Sequence, residues 1–272
     1  MARFIILLVC FVFLVNHGGF TQTIFRDLGQ EKTITLEVLK PDFGENSNAS
    51  FLTSSSFLTL HLPISNNLMF TGELPFSYAK FSSRFSGDRS GGTIGNPYIG
   101  FEYRDNKKST FMGEFGVRIP LTSDESIAAF PGLLTDFIDR AEAFAPKIFS
   151  IHTMANYVSQ SETGVTLRVR SGPLLWLNTE DNGGDTEVFL LYGATIGYNG
   201  DAVRLQGGFN GRWLLSNDGA NFGESTLHQI GFSANFGSGN VRPGVSLRVP
   251  LDDDFQNTLD LTLGLDVTFQ LK

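Results

Sequence analysis

Leu259 to Lys272 reads LDLTLGLDVTFQLK, with every second residue apolar and Asp260, Thr262, Gly264, Asp266, Thr268, Gln270 and Lys272 on the other parity. Successive side chains of an extended strand point to opposite sides, so this period fits a strand with one greasy face and one wet face. The pattern recurs. Phe111, Gly113, Phe115, Val117, Ile119 and Leu121 alternate with Met112, Glu114, Gly116, Arg118 and Pro120. Val241 to Leu251 and Val203 to Leu215 repeat it, and weaker copies lie near 33–40, 55–64, 67–79, 96–105, 147–158, 163–177, 186–199 and 225–236. The expectation is about twelve strands.

Alternation fits a soluble sandwich as well as a membrane barrel. The connections separate the two. They alternate long (41–54, 80–95, 122–146) and short (65–66, 105–109, 159–162, 200–201) along most of the chain, as in an up-and-down barrel with long loops outside and tight turns inside the cell envelope. An arginine on the lipid face would cost about 2–4 kcal/mol at the midplane. Arg118, Arg168, Arg170, Arg204, Arg212 and Arg248 all fall on the polar parity, where glycine is also frequent. Pro41, Pro75, Pro120, Pro173 and Pro250 are expected toward the outer ends of outward-running strands, because proline has no ladder donor.

Met1-Ala2-Arg3 precedes the apolar run FIILLVCFVFLV, which has the length of a signal peptide and is too short to span a bilayer as a helix. We read residues 1–22 as a cleaved signal segment and 23–272 as one barrel domain exported to the outer membrane of a Gram-negative bacterium. Cys10 is the only cysteine, which leaves the remainder without disulfide or thiolate chemistry. A formal charge of −8 argues against nucleic acid as a partner.

Three stretches, NLMFTGELPFSYAKF, SGGTIGNPYIGFEYR and FMGEFGVRIPLTSD, span Asn67 to Asp124, and GVSLRVPLDDD at 244–254 echoes the third. Together they resemble the meta-pathway phenol-degradation family of outer-membrane proteins, relatives of the FadL-like hydrophobic-compound channels. The match departs at Ile94-Gly95-Asn96, where the family carries Gly-x-Gly-Asp, and at the C-terminal Lys272, where an aromatic residue is usual. The resemblance implies a barrel transporter more firmly than it implies a ligand.

Inward charges divide along the chain, with Glu73, Glu102 and Glu114 in the first half and Arg168, Arg170, Arg204, Arg212 and Arg248 in the second. Two readings follow: opposed acidic and basic lumen walls that orient solutes, or ion pairs that fill a narrow interior. Arg118 and Trp176 join these as lumen-lining candidates. In the 122–146 loop, taken as extracellular, Ile127, Phe130, Leu134, Phe137, Ile138 and Ala141 recur at helical spacing, with Asp136, Asp139, Arg140 and Glu142 between them. This predicts a short helix, opened or kinked by Pro131, serving as an external lid or an inward-folded plug that gathers apolar molecules. Ser150 and His152 are the best nucleophile and base pair, yet no third residue orients them. No enzyme activity, metal or cofactor is expected.

The sequence thus points to an all-β transmembrane barrel surrounded by outer-membrane lipid, passing small hydrophobic or aromatic solutes. The alternatives are a narrow porin for polar solutes and a non-transporting structural or adhesive barrel. The oligomeric state is not encoded in any feature above.

Overall fold

The computed structural model describes residues 31–44, 49, 52–82, 87–104, 109–180, 184–217 and 221–272. The expected signal segment at 1–22, Cys10 included, lies outside the described residues. Thirteen strands run in chain order: β1 (Thr33–Asp42), β2 (Ser54–Pro63), β3 (Leu68–Phe81), β4 (Arg89–Ile94), β5 (Tyr98–Arg104), β6 (Ser109–Arg118), β7 (Ile148–Gln160), β8 (Val165–Asn178), β9 (Glu187–Asn199), β10 (Val203–Leu214), β11 (Thr226–Phe236), β12 (Val241–Pro250) and β13 (Leu261–Gln270). All pairings are antiparallel, and β1 closes the sheet against β13 with Leu36 opposite Val267.

β4 and β5 share one wall position. β3 pairs with β5 through Leu68–Glu73 and with β4 through Phe76–Phe81. The barrel therefore has twelve positions, the fourth being broken at residues 95–97. This corrects the expected 96–105 strand and 80–95 loop: the wall begins at Arg89, and the connection shrinks to 82–88. Paired glycines at Gly91 and Gly92 hide the alternation of that stretch, and the β3 ladder supplies its order instead.

The two parities sort to opposite faces. Leu58, Phe101, Phe115, Val169, Ile196, Phe232, Val245 and Leu265 are exposed on the outer face, whereas Arg118, Arg168, Arg170, Arg212 and Arg248 are at most 2% exposed. A closed barrel has no unpaired edge, so its strands can pair their backbone donors with one another rather than with water, as a lipid-embedded sheet requires. A slip of one residue would drive the arginines into acyl chains, which fixes the register.

Inward glycines make room for a ring that crosses the interior. A Cβ at Gly116 would stand 2.2 Å from the ring of Tyr98, and Tyr98 itself is 1% exposed. Three of the five prolines lie as expected, at Pro41, Pro120 and Pro250. Pro75 and Pro173 lie inside β3 and β8, which corrects the rim expectation. Each sits at a ladder gap where no donor is needed: Pro75 where β3 passes from β5 to β4, and Pro173 between the His152–Leu174 and Ala155–Ser171 pairs of β7 and β8.

Between β6 and β7 the chain folds into the barrel. It forms α1 (Ala129–Thr135), α2 (Phe137–Arg140) and a 3-10 turn at Ala141–Ala143, rather than one helix. The breaks fall at Asp136 (φ −140°, ψ 54°), which faces Arg248 of the wall, and at Arg140 (φ −142°, ψ 29°), which bonds Glu37 and Glu73 of the wall. α1 packs on β1, β2 and β3, while α2 packs on β10 and β11. Two further short helices, α3 (Phe222–Ser225) and α4 (Asp253–Gln256), sit in loops at the same end.

Candidate functional site

The segment inside the barrel is rooted at the break in the wall. Asn96 is fully buried there, and its amide uses both ends: Nδ2 donates to the carbonyls of Glu142 (2.8 Å) and Ala145 (2.7 Å), and Oδ1 accepts from the Leu121 and Thr122 amides at 2.7 and 2.9 Å. The Asn96 backbone donates to the Ala143 carbonyl at 2.7 Å. A Cβ at Gly95 would meet that same carbonyl at 2.3 Å, so glycine permits the close approach. Phe144 then inserts beside Leu39 and Phe57, with the Phe57 and Phe144 rings 5.8 Å apart edge to face.

From this root, charges of the inner segment meet opposite charges of the wall. Arg140 faces the acidic strands, with Nη2 donating to Glu37 Oε2 at 2.5 Å and Nη1 to Glu73 Oε2 at 3.1 Å. Its guanidinium also lies 3.7 Å over the Phe57 ring. The carboxylates face the basic strands. Asp139 accepts from Arg170 and, at 2.7 Å, from Asn210 Nδ2; Glu142 accepts from Arg212 Nη2 at 2.6 Å; Asp136 lies 3.6 Å from Arg248 Nε. Arg248 Nη2 reaches Glu37 at 2.8 Å and Arg118 Nη2 reaches Glu73 at 2.6 Å, closing the network around the lumen. Losing one partner of a buried pair of this kind costs about 3–5 kcal/mol, because the other charge stays desolvated.

The charges thus line a lumen in which walls and inner segment are matched. On the lower side, Glu114 accepts from Asn156 Nδ2 at 2.7 Å and Arg168 Nη2 at 3.3 Å, and Glu102, opposite it in the β5–β6 ladder, accepts from Thr71 at 3.4 Å. Arg204 is half-buried on the inward face of β10. Trp176 points inward from β8, with its ring 4.9 Å from that of Phe189. Of the residues nominated in the 122–146 loop, Leu134 and Ile138 are buried, Ile127 and Phe137 are half-buried, and Phe130 is exposed.

Sequence reading passed over Asn96, Glu37, Asn156 and Asn210. Glu37 was visible on the wet parity of the first strand, alongside Thr33 and Thr35. For Asn96 the signal was the departure from Gly-x-Gly-Asp: an aspartate cannot donate to the Glu142 and Ala145 carbonyls.

Ser150 Oγ stands 3.0 Å from His152 Nε2, and Glu142 Oε1 stands 3.5 Å from that same nitrogen. A relay needs the acid on the other ring nitrogen, and Ser150 is fully buried, so this geometry serves packing rather than nucleophilic attack. A second histidine lies on the outer face: His228 Nε2 bonds the Tyr192 hydroxyl at 2.7 Å and Nδ1 bonds Asp252 at 3.1 Å, beside the stacked ring of Phe209. Among the described residues no cluster of His, Cys, Asp and Glu is arranged to hold a metal ion.

Outside the membrane-spanning strands, Lys147 ties the two ends of the inner segment to the rim. Its Nζ bonds Asp124 at 2.5 Å and also Glu180. The hydrogen bond from Lys147 holds the Asp124 carboxyl below its ordinary range, and the bonds to Asp124 and Glu180 raise the Lys147 ammonium.

No family model matches the chain, and no curated protein matches it. Among solved structures, it is similar to an outer-membrane channel of Pseudomonas putida F1, with a TM-score of 0.61 and 15% identity over 93% of this chain and 100% of that one. It is also similar to the NanC porin (TM-score 0.56, 8% identity, 88% of this chain and 100% of that one). A third similar structure is the beta domain of the Bordetella autotransporter BrkA (TM-score 0.51, 8% identity, 89% of this chain and 100% of that one). At these identities the likeness shows the shared outer-membrane barrel fold.

Proposed function

We propose that this chain is an outer-membrane channel of a Gram-negative bacterium, exported by a cleaved signal segment, for passive uptake of small hydrophobic or aromatic compounds. The observation that carries this reading is the inner segment itself. A barrel serving only as a structural anchor can fill its interior with side chains of its own strands, whereas here a 25-residue loop is folded inside and fastened by ion pairs and by Asn96. Fastenings of this kind can break and re-form as a unit, which suits a gate. Leu134, Ile138 and Phe137 would form the apolar side of that gate, and Glu73, Arg118, Arg170, Arg212 and Arg248 the polar wall it leaves behind. The FadL-like resemblance supports the solute class, because its three motif stretches meet at the root of the gate through Glu73, Asn96 and Arg118.

The dense charge of the lumen favours a second reading, a narrow porin for polar solutes. Proteoliposomes separate the two. Uptake of toluene with negligible swelling in arabinose supports the first reading; swelling in arabinose without toluene uptake supports the second.

A further inference from the structure

We infer that Arg212 and Trp176 form a recognition site within the lumen for the carboxylate of a small aromatic acid. The inference rests on the channel reading above and narrows its solute class. Arg212, on β10, is 2% exposed. Its Nη2 donates to Glu142, but Nε and Nη1 have no hydrogen-bond partner among the described residues. Trp176, on β8, is half-buried, and its indole Nε1 is buried without an acceptor among the described residues. Strands β8 and β10 thus bring buried donors of two different side chains to one place, with Cζ of Arg212 5.4 Å from the centre of the Trp176 ring.

The surroundings are aromatic. The Arg212 Cζ also lies 5.1 Å from the Phe189 ring and 5.5 Å from that of Phe137, which in turn stands 5.2 Å from Phe255. Met154, Leu174 and Leu191 pack with Phe189 as an apolar patch on the wall. Ring faces answer part of the guanidinium charge, but they leave its N–H groups without lone pairs to accept them. Unanswered buried donors on a charged group are costly. Glu142 does not relieve the shortage: only its Oε2 reaches Arg212, while Oε1, itself without a hydrogen-bond partner among the described residues, faces Arg118 Nε at 3.9 Å and His152 Nε2 at 3.5 Å.

A ligand that fits supplies acceptor oxygens and flat apolar surface together. A carboxylate offers two oxygens with about four lone-pair directions, enough for one free edge of the Arg212 guanidinium and the indole N–H together. Its ring would stack within the frame of Phe137, Trp176 and Phe189. A neutral hydrocarbon leaves the donors unanswered, and an inorganic anion leaves the rings unused.

Trp176 and Trp213 are the only tryptophans, so Trp213→Phe makes Trp176 the sole tryptophan of the full chain, read by selective excitation at the red edge beyond tyrosine absorption. In that background, titration with benzoate is expected to quench Trp176 saturably, with acetate and benzyl alcohol each at least tenfold weaker. Arg212→Gln is expected to weaken benzoate at least tenfold and leave benzyl alcohol unchanged. Phe189→Leu, which keeps every charge, is expected to weaken benzoate several-fold and decides the matter if Arg212→Gln does not fold. Equal responses to benzoate and benzyl alcohol, no response, or benzoate binding untouched by the variants overturns the site. Toluene uptake tells the failures apart: its persistence without benzoate binding leaves the channel reading standing, and its loss removes both.

Discussion

Arg118 on β6 donates from Nη2 to Glu73 Oε1 on β3 at 2.6 Å, while its Nη1 donates to the Asn96 carbonyl at 2.7 Å. One guanidinium therefore joins two strands to the break between β4 and β5. At that break Asn96 also holds both ends of the inner segment, through the amides of Leu121 and Thr122 and the carbonyls of Glu142 and Ala145, although the segment itself leaves the wall after β6 and rejoins it at β7.

Asn96→Ala is expected to loosen the segment without opening the barrel. The substitution orphans two backbone carbonyls and two amides, each at about 1–3 kcal/mol where water cannot replace the partner. Hydrogen exchange should accelerate at least tenfold across 119–146 and remain slow in β8 to β13. Asn96→Asp should behave similarly, since its carboxylate would face the Glu142 and Ala145 carbonyls.

Glu142→Gln should destabilise the fold by about 3–5 kcal/mol, because Arg212 loses its ionised partner and stays buried. The midpoint of urea unfolding in detergent micelles reads this directly. Replacing both residues, Glu142→Leu with Arg212→Met, should recover part of the loss, since an apolar pair leaves no stranded charge.

Gly172→Ala should abolish assembly: a Cβ there would stand 1.9 Å from the Thr153 carbonyl oxygen, which is backbone and cannot give way. Gly184→Ala, where nothing lies within 4 Å, should leave the chain intact. The heat-dependent shift of a folded barrel on a denaturing gel distinguishes the two.

Much of this architecture could be read from residues alone. The parity of Thr262, Leu263, Gly264 and Leu265 gave the faces of β13, because a lipid-facing wall tolerates only one sorting. The long 122–146 loop announced itself by length and by helical spacing. Its breaks did not, because they come from Asp136 and Arg140 reaching walls that are distant in sequence. Local periodicity carries no record of such partners. β4 was hidden for a related reason: Gly91 and Gly92 erase alternation, and pairing with β3 restores it. In the site, the arginines were found by parity, whereas Asn96 was not, since an amide matters only once its four partners converge.

The rim tether formed by Asp124 and Lys147 should hold from mildly acidic to mildly alkaline pH. The folded Asp124 carboxyl titrates below its ordinary 3.8, so its contribution is present above that value and is lost as pH falls through the lowered one. Lys147 titrates above its ordinary 10.5, so its contribution is complete below that value and is lost only in stronger alkali. Proteolytic nicking between β6 and β7 should stay constant between these limits and rise below them. Lys147→Met should raise it at neutral pH.

The claim that this segment is a movable closure, rather than permanent filling, is met most directly by planar-bilayer conductance of the full chain and of a chain lacking residues 126–143. The account predicts small, intermittent current from the intact protein and a large, steady current from the shortened one. Equal currents from two correctly folded barrels would contradict it.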